Sequence, residues 1–123
     1  MLNKSKIIAF VPTKDSKVAR SFYEGALGLR FVSDDQFALV LDANGTMVRI
    51  AKAENFTPAP FTILGWDVSN IEEVVSELKE KGVKFSTYDF LKQDSLGIWS
   101  APGGAKVAWF QDPDGNLLSL TQY

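Results

Sequence analysis

For acid, base or nucleophilic chemistry the chain offers 15 Asp and Glu carboxylates, 13 Lys and Arg side chains, 3 tyrosines and its Ser and Thr hydroxyls, but no histidine and no cysteine. Thiolate nucleophiles, disulfides, iron–sulfur clusters, histidine-dependent triads and imidazole-bound zinc or iron are thereby excluded. Any metal would have to be held by oxygen alone, which favours Mg, Mn or Ca. Two suggestive runs carry no chemistry. Gly103-Gly104 is too short to cradle a phosphate, and Glu72-Glu73 with Glu77, Lys79, Glu80 and Lys81 reads as the wet face of a helix. Trp66, Trp99 and Trp109, with Phe37 and Tyr88, are the side chains suited to gripping a planar molecule by stacking.

These groups sit on a chain of ordinary globular composition, 46% hydrophobic and 23% charged over 123 residues, a length suited to one compact domain. A net charge of -2 gives no electrostatic reason to bind nucleic acid or an anionic membrane. No apolar run is long enough to span a bilayer, and the opening MLNKSK lacks an apolar leader. A cytoplasmic location is therefore expected.

The first half predicts strand–helix–strand–strand–strand. An apolar strand over residues 6–12 ends at Pro12. A helix capped by Asp15 or Ser16 carries Ala19, Phe22, Tyr23 and Ala26 on one side and stops at Gly28. Strands follow over 29–33, 37–41 and 46–51, the last two joined by a turn at Asn44-Gly45. Residues 54–60, with two prolines, read as a linker between modules spanning 1–53 and 61–123. The second half repeats the grammar. A strand is expected over 61–68, then a helix opened by a Ser69–Glu72 capping box, with Ile71, Val74, Val75 and Leu78 on one face. Further strands are expected over 83–88, 97–101, 106–111 and 117–122, with a turn at Asp112-Pro-Asp-Gly-Asn116. Asp15, Gly28 and Gly45 correspond to Asn70, Gly82 and Gly115, and the longer spacing in the second half places extra loop within 88–103. The expected fold class is α+β, with two tandem β-α-β-β-β modules whose mixed sheets curve around a cleft.

Residues 15–29, with Ala19, Arg20, Phe22-Tyr23 and Leu27-Gly28-Leu29, resemble the opening helix signature of the vicinal oxygen chelate superfamily. This superfamily includes glyoxalase I, bleomycin-resistance proteins, fosfomycin-resistance enzymes and extradiol dioxygenases. Phe110-Gln-Asp-Pro-Asp-Gly-Asn116 followed by Leu117-Leu-Ser-Leu120 is similar to the closing hairpin of the same group. Metal-dependent members hold a divalent ion with His, Gln or Glu on the first and last strands of each module. The resemblance places those positions at Ile8, Arg49, Ile63 and Ser119. An alkyl chain, a cation, a second alkyl chain and a lone hydroxyl do not make a cation site. The departure is similar to the bleomycin-resistance branch, which sequesters a drug, without a metal, in a groove between two chains.

Alternation along the strands then puts Phe10 beside Ile8, Met47 beside Arg49, Gly65 and Asp67 on the face of Ile63, and Leu117 and Thr121 with Ser119. Trp66 falls to the helix side, Trp109 to the cavity or a dimer contact, and Trp99 to a loop rim. The expected ligand-binding set is Ile8, Phe10, Met47, Arg49, Ile63, Asp67, Trp99, Trp109 and Ser119, with no metal ligand and no cofactor. Arg49 either anchors a carboxylate or phosphate of the guest or pairs with Asp67 or another carboxylate. The resulting expectation is a metal-free binding protein for a small organic, anionic or aromatic ligand, assembled as a homodimer, with no nucleic-acid or membrane partner. A glyoxalase-like or dioxygenase-like enzyme, a lyase or oxidoreductase using an oxygen-ligated divalent metal, is the alternative, and a protein-interaction module with a filled cavity is the third reading.

Overall fold

In the computed structural model, which describes all 123 residues, the first unit runs Met1–Thr57 and the second Pro58–Tyr123. After a short 3-10 helix over Leu2–Lys4, the first has strand β1 (Ile8–Thr13) and helix α1 (Ser16–Arg20), which continues as a π-helical turn over Ser21–Ala26. Asp15 caps α1 by accepting from the amides of Lys17 and Val18, the role expected of it. Strands β2 (Arg30–Asp34), β3 (Ala38–Ala43) and β4 (Thr46–Lys52) complete a sheet of order β1-β4-β3-β2. β1 is parallel to β4 and the other pairs are antiparallel. The strand expected to end at Pro12 instead runs through it, because β1 is an edge strand and tolerates a residue without an N–H. Asn44 and Gly45 both have positive φ, 50° and 92°, the backbone needed by a two-residue turn between twisted strands. Val11, Leu39, Leu41, Val48 and Ile50 project to the helix side and close over Ala19 and Tyr23.

Before β3 the chain is pinned by Asp35, whose Oδ1 accepts from the amides of Phe37 (2.7 Å) and Ala38 (2.9 Å). Lys52 donates to the carbonyl of Asp35 and forms an ion pair with Asp34 at 2.9 Å. The bonds from Ala38 and Phe37 hold the Asp35 carboxyl below the ordinary aspartate value; desolvation opposes them, and the charges of Arg49 and Lys52 add to the lowering. A carboxyl depressed in the folded state contributes stability that is present above its unfolded pKa and fades as pH falls through the folded one. Carbon-detected NMR of the side-chain carboxyls should accordingly show Asp35 titrating below an aspartate in an unstructured peptide. A midpoint at or above the peptide's would mean that the two amide bonds do not persist in solution.

The second unit repeats this topology. Strand β5 (Leu64–Asp67), helix α2 (Ile71–Glu80) and strands β6 (Trp99–Ser100), β7 (Lys106–Gln111) and β8 (Leu117–Gln122) give a sheet of order β5-β8-β7-β6, with β5 parallel to β8. Ile71, Val75 and Leu78 of α2 are buried, as are Ala108, Phe110, Leu118 and Leu120 on β7 and β8, the strands it packs against. The helix starts one residue later than the Ser69–Glu72 box predicts. Asn70 is the cap and accepts from the Glu73 amide, while the Ile71 amide is taken by the side chain of Gln122. The strand expected over 61–68 shortens to β5, leaving Phe61 and Thr62 exposed ahead of it. The hairpin between β7 and β8 closes on Asp112. Its Oδ1 accepts from the amides of Asp114 and Asn116, and its Oδ2 from the Asn116 side chain, all at 2.9 Å.

The strand expected over 83–88 does not form. Phe85 makes one bridge to Phe110 and the Ser86 amide bonds the Trp109 carbonyl, and the chain then leaves the sheet. A side chain replaces the ladder: Gln93 accepts from the Tyr88 amide (2.8 Å) and donates to the carbonyls of Ser86 (3.1 Å) and Gly97 (2.8 Å). Beyond it Asp94 accepts from the amides of Leu96 and Ile98, so the strand expected over 97–101 contracts to β6. No helix in either unit is long and apolar enough to cross a membrane.

Candidate functional site

Strand alternation divides each sheet into a face under its helix and a face away from it. In the second unit the register places Gly65, Ser119 and Trp109 side by side across β5, β8 and β7, with Asp67, Thr121, Val107 and Trp99 in the next row. All of these face away from α2. Trp66 lies on the opposite side, stacked on Phe110 with ring centroids 6.3 Å apart, as its parity predicts.

At one end of this face lies a depression of about 390 Å³. Trp99 and Trp109 form its floor with Leu117 of β8; Tyr88, Phe90 and Leu91 form a wall, and Pro60, Phe61 and Thr62 the opposite rim. The indoles of Trp99 and Trp109 lie 6.1 Å apart, tilted by 31°. Tyr88 meets Trp109 edge-on at 5.6 Å, and Phe90 leans on Tyr88 at 5.6 Å. No charged side chain lines this space. Its volume falls in the range of small-molecule sites, and its surface offers π faces and alkyl groups.

Gln93 holds the wall in place from behind. Gln93→Ala removes three hydrogen bonds and strands the Tyr88 amide, at roughly 1 kcal/mol for each bond. The variant should lose about 2–3 kcal/mol of stability by urea unfolding, with amide exchange accelerated across residues 86–98. Unaltered exchange there would show that the aromatic wall is held by something else.

The expected site residues separate into two groups. Ile8, Phe10, Met47 and Arg49 share the face of the first sheet away from α1, where Phe10 is opposite Arg49 and Ile8 opposite Met47. Ile8, Phe10 and Met47 are exposed and Arg49 is half-buried. The pairing of Arg49 with a carboxylate is not found: it makes no ion pair within 4 Å, and Asp35 feels only its longer-range field. In the second unit Trp99 and Trp109 come together in the depression. Ser119 adjoins it through Trp109, and Asp67 borders a smaller hollow of about 220 Å³ with Gly65, Trp66, Thr121 and Tyr123. Ile63 stands just before β5, bonded through its amide to the Leu117 carbonyl. Phe61, Phe90 and Leu91 were not expected in the site. The signal for Phe90 was present in the aromatic pair Tyr88 and Phe90 inside the inserted loop.

A family profile for the Glyoxalase/Bleomycin resistance protein/Dioxygenase superfamily matches residues 7–120. The chain belongs to this superfamily. Solved structures with the same fold include a superfamily member from Sphaerobacter thermophilus DSM 20745, at 24% identity and TM-score 0.78 with both chains covered over 100%. The bleomycin resistance determinant encoded on transposon Tn5 aligns at 21% identity and TM-score 0.76, covering 97% of this chain and 98% of that one. TnmS3, an antibiotic binding protein from Streptomyces sp. CB03234, aligns at 23% and 0.72 over 99% and 98%. No curated protein sequence matches the chain. The superfamily fold is shared with metal enzymes, so the fit of a metal can be tested on the residues present. Ile8, Arg49 and Ile63 offer no oxygen donor, Ser119 offers one neutral hydroxyl, and nowhere do three acidic side chains gather as a metal cluster would require. This donor set does not fit a divalent ion.

Proposed function

We propose that this protein binds a small planar aromatic molecule without a metal, holding it in the depression of the second unit. The observation that carries this reading is the arrangement of Trp99, Trp109 and Tyr88, three rings within 6.1 Å of a neighbour around a space with no charged lining. A flat guest there exchanges water for π faces on two sides, and burial of its apolar area supplies the affinity. Superfamily membership supports small-molecule binding as the general role. The exposed apolar side chains Ile8, Phe10 and Met47 support the homodimer that completes the reading, because a second copy covering them would remove apolar area from water.

The test is a thermal-shift and tryptophan-fluorescence titration with naphthalene, 1-naphthol, benzoate and succinate, each with and without EDTA. The aromatic probes should raise the melting temperature and perturb indole emission, equally in EDTA, whereas succinate should do neither. Failure of every aromatic probe, or loss of their effect in EDTA, would overturn the proposal. Light scattering should give twice the chain mass; a monomer would remove the dimer from it.

A second reading rests on Arg49, a half-buried guanidinium with no ion pair on the first sheet. It makes that face a place for an anion. Inorganic phosphate should then stabilise the wild type and leave Arg49→Ala unaffected, and equal shifts in both would reject it.

A further inference from the structure

Ser119 lies in the middle of β8, on the face away from α2, and is only 8% exposed. Its hydroxyl makes no hydrogen bond with the rest of the chain, yet no fully buried side-chain oxygen or nitrogen lacks a partner. The hydroxyl is therefore reachable from outside, through an opening narrow enough to leave the residue more than nine-tenths covered. Gly65, which borders the smaller hollow, leaves the hydroxyl without a side chain over it on that flank. It is the register partner of Ser119 on β5, and a Cβ placed there would stand 2.9 Å from Ser119 Oγ and 3.3 Å from the Ser119 carbonyl oxygen. Any side chain at this position would collide with the hydroxyl or cover it. On the other flank, Ser119 is the register partner of Trp109, the central ring of the depression.

We propose that the Ser119 hydroxyl, kept accessible by Gly65, hydrogen-bonds a polar atom on the edge of the aromatic guest, and that the site accordingly selects hydroxyarenes and nitrogen heteroaromatics over plain hydrocarbons. The inference rests on the aromatic reading of the depression. Adjacent strands run about 4.8 Å apart, so a ring lying over Trp109 brings an in-plane nitrogen, or an oxygen one bond off the ring, over the neighbouring strand. A hydroxyl both donates and accepts, so it serves a ring nitrogen and a phenol alike. Around an otherwise apolar pocket, one such group fixes the orientation of the guest, because a guest without a matching atom leaves the hydroxyl desolvated and unpaired.

The experiment compares naphthalene, 1-naphthol and quinoline, with affinities from ligand-observed NMR titration of the whole protein. Wild type should bind 1-naphthol and quinoline about tenfold tighter than naphthalene, the effect of one net hydrogen bond. Ser119→Ala should erase this preference, with naphthalene bound at least as tightly as by the wild type because no hydroxyl is left unpaired beneath it, which also reports an intact pocket. Gly65→Ala, which roofs the hydroxyl by a different route, should erase the preference as well. Equal affinities in the wild type, or a preference that survives in Ser119→Ala, would overturn the role of Ser119 while the aromatic site stands. Should none of the three compounds bind the wild type, the aromatic site itself falls, and this inference with it.

Discussion

Trp109→Ala should weaken binding of 1-naphthol and naphthalene by about 30-fold or more, the loss typical of a central aromatic anchor. Trp109 is the ring that the others are arranged around, with Trp99 at 6.1 Å and Tyr88 edge-on at 5.6 Å. Its removal takes away the floor and leaves both neighbours facing an enlarged, wetter space. The side chain points away from the core of its unit, so stability should fall far less than affinity. Trp109→Phe should recover part of the binding, since a smaller π face remains in place. A loss under threefold in a variant that unfolds at the wild-type urea concentration would place the guest elsewhere.

Phe110→Ala should have the converse effect, destabilising the fold by about 3–5 kcal/mol in urea unfolding. Phe110 is fully buried beneath α2, stacked on Trp66 at 6.3 Å and tilted against Phe85 at 5.3 Å. Truncation forfeits the transfer energy of the ring and opens a cavity that these rigid neighbours cannot fill. It also takes away the ring on which Phe85 packs just before the chain leaves the sheet. A cost under about 1 kcal/mol would mean that the core collapses around the gap.

The sequence made the fold legible where local rules are strict. Asp15 before an apolar-periodic helix, Asn44-Gly45 between two apolar runs and the Asp112–Asn116 turn each state a backbone requirement that few residues meet, and each is realised. Period-two alternation likewise assigned Trp66 to the helix side, where it stacks on Phe110. The same alternation misled over 83–88, because apolar composition cannot tell whether a segment's amides will meet a neighbouring strand or a glutamine side chain several residues on. Gln93 supplies those partners, and nothing in its immediate neighbours announces it. Of the residues lining the depression, the pair Trp99 and Trp109 was legible but Phe61, Phe90 and Leu91 were not, since they reach it through irregular chain with no period to read. Arg49 shows the opposite limit. Strand parity assigned its face, but a charge finds or lacks a partner only in three dimensions.

Trp109 and Phe110 are consecutive, one on each side of β7. Inserting or deleting a single residue just upstream would therefore exchange them, pushing the indole inward and the phenyl outward. A length change in this strand would disrupt core and site together, whereas the connection before β6 can vary around the three bonds that Gln93 makes. New guests for this scaffold should thus arise by remodelling that connection, leaving β7 untouched.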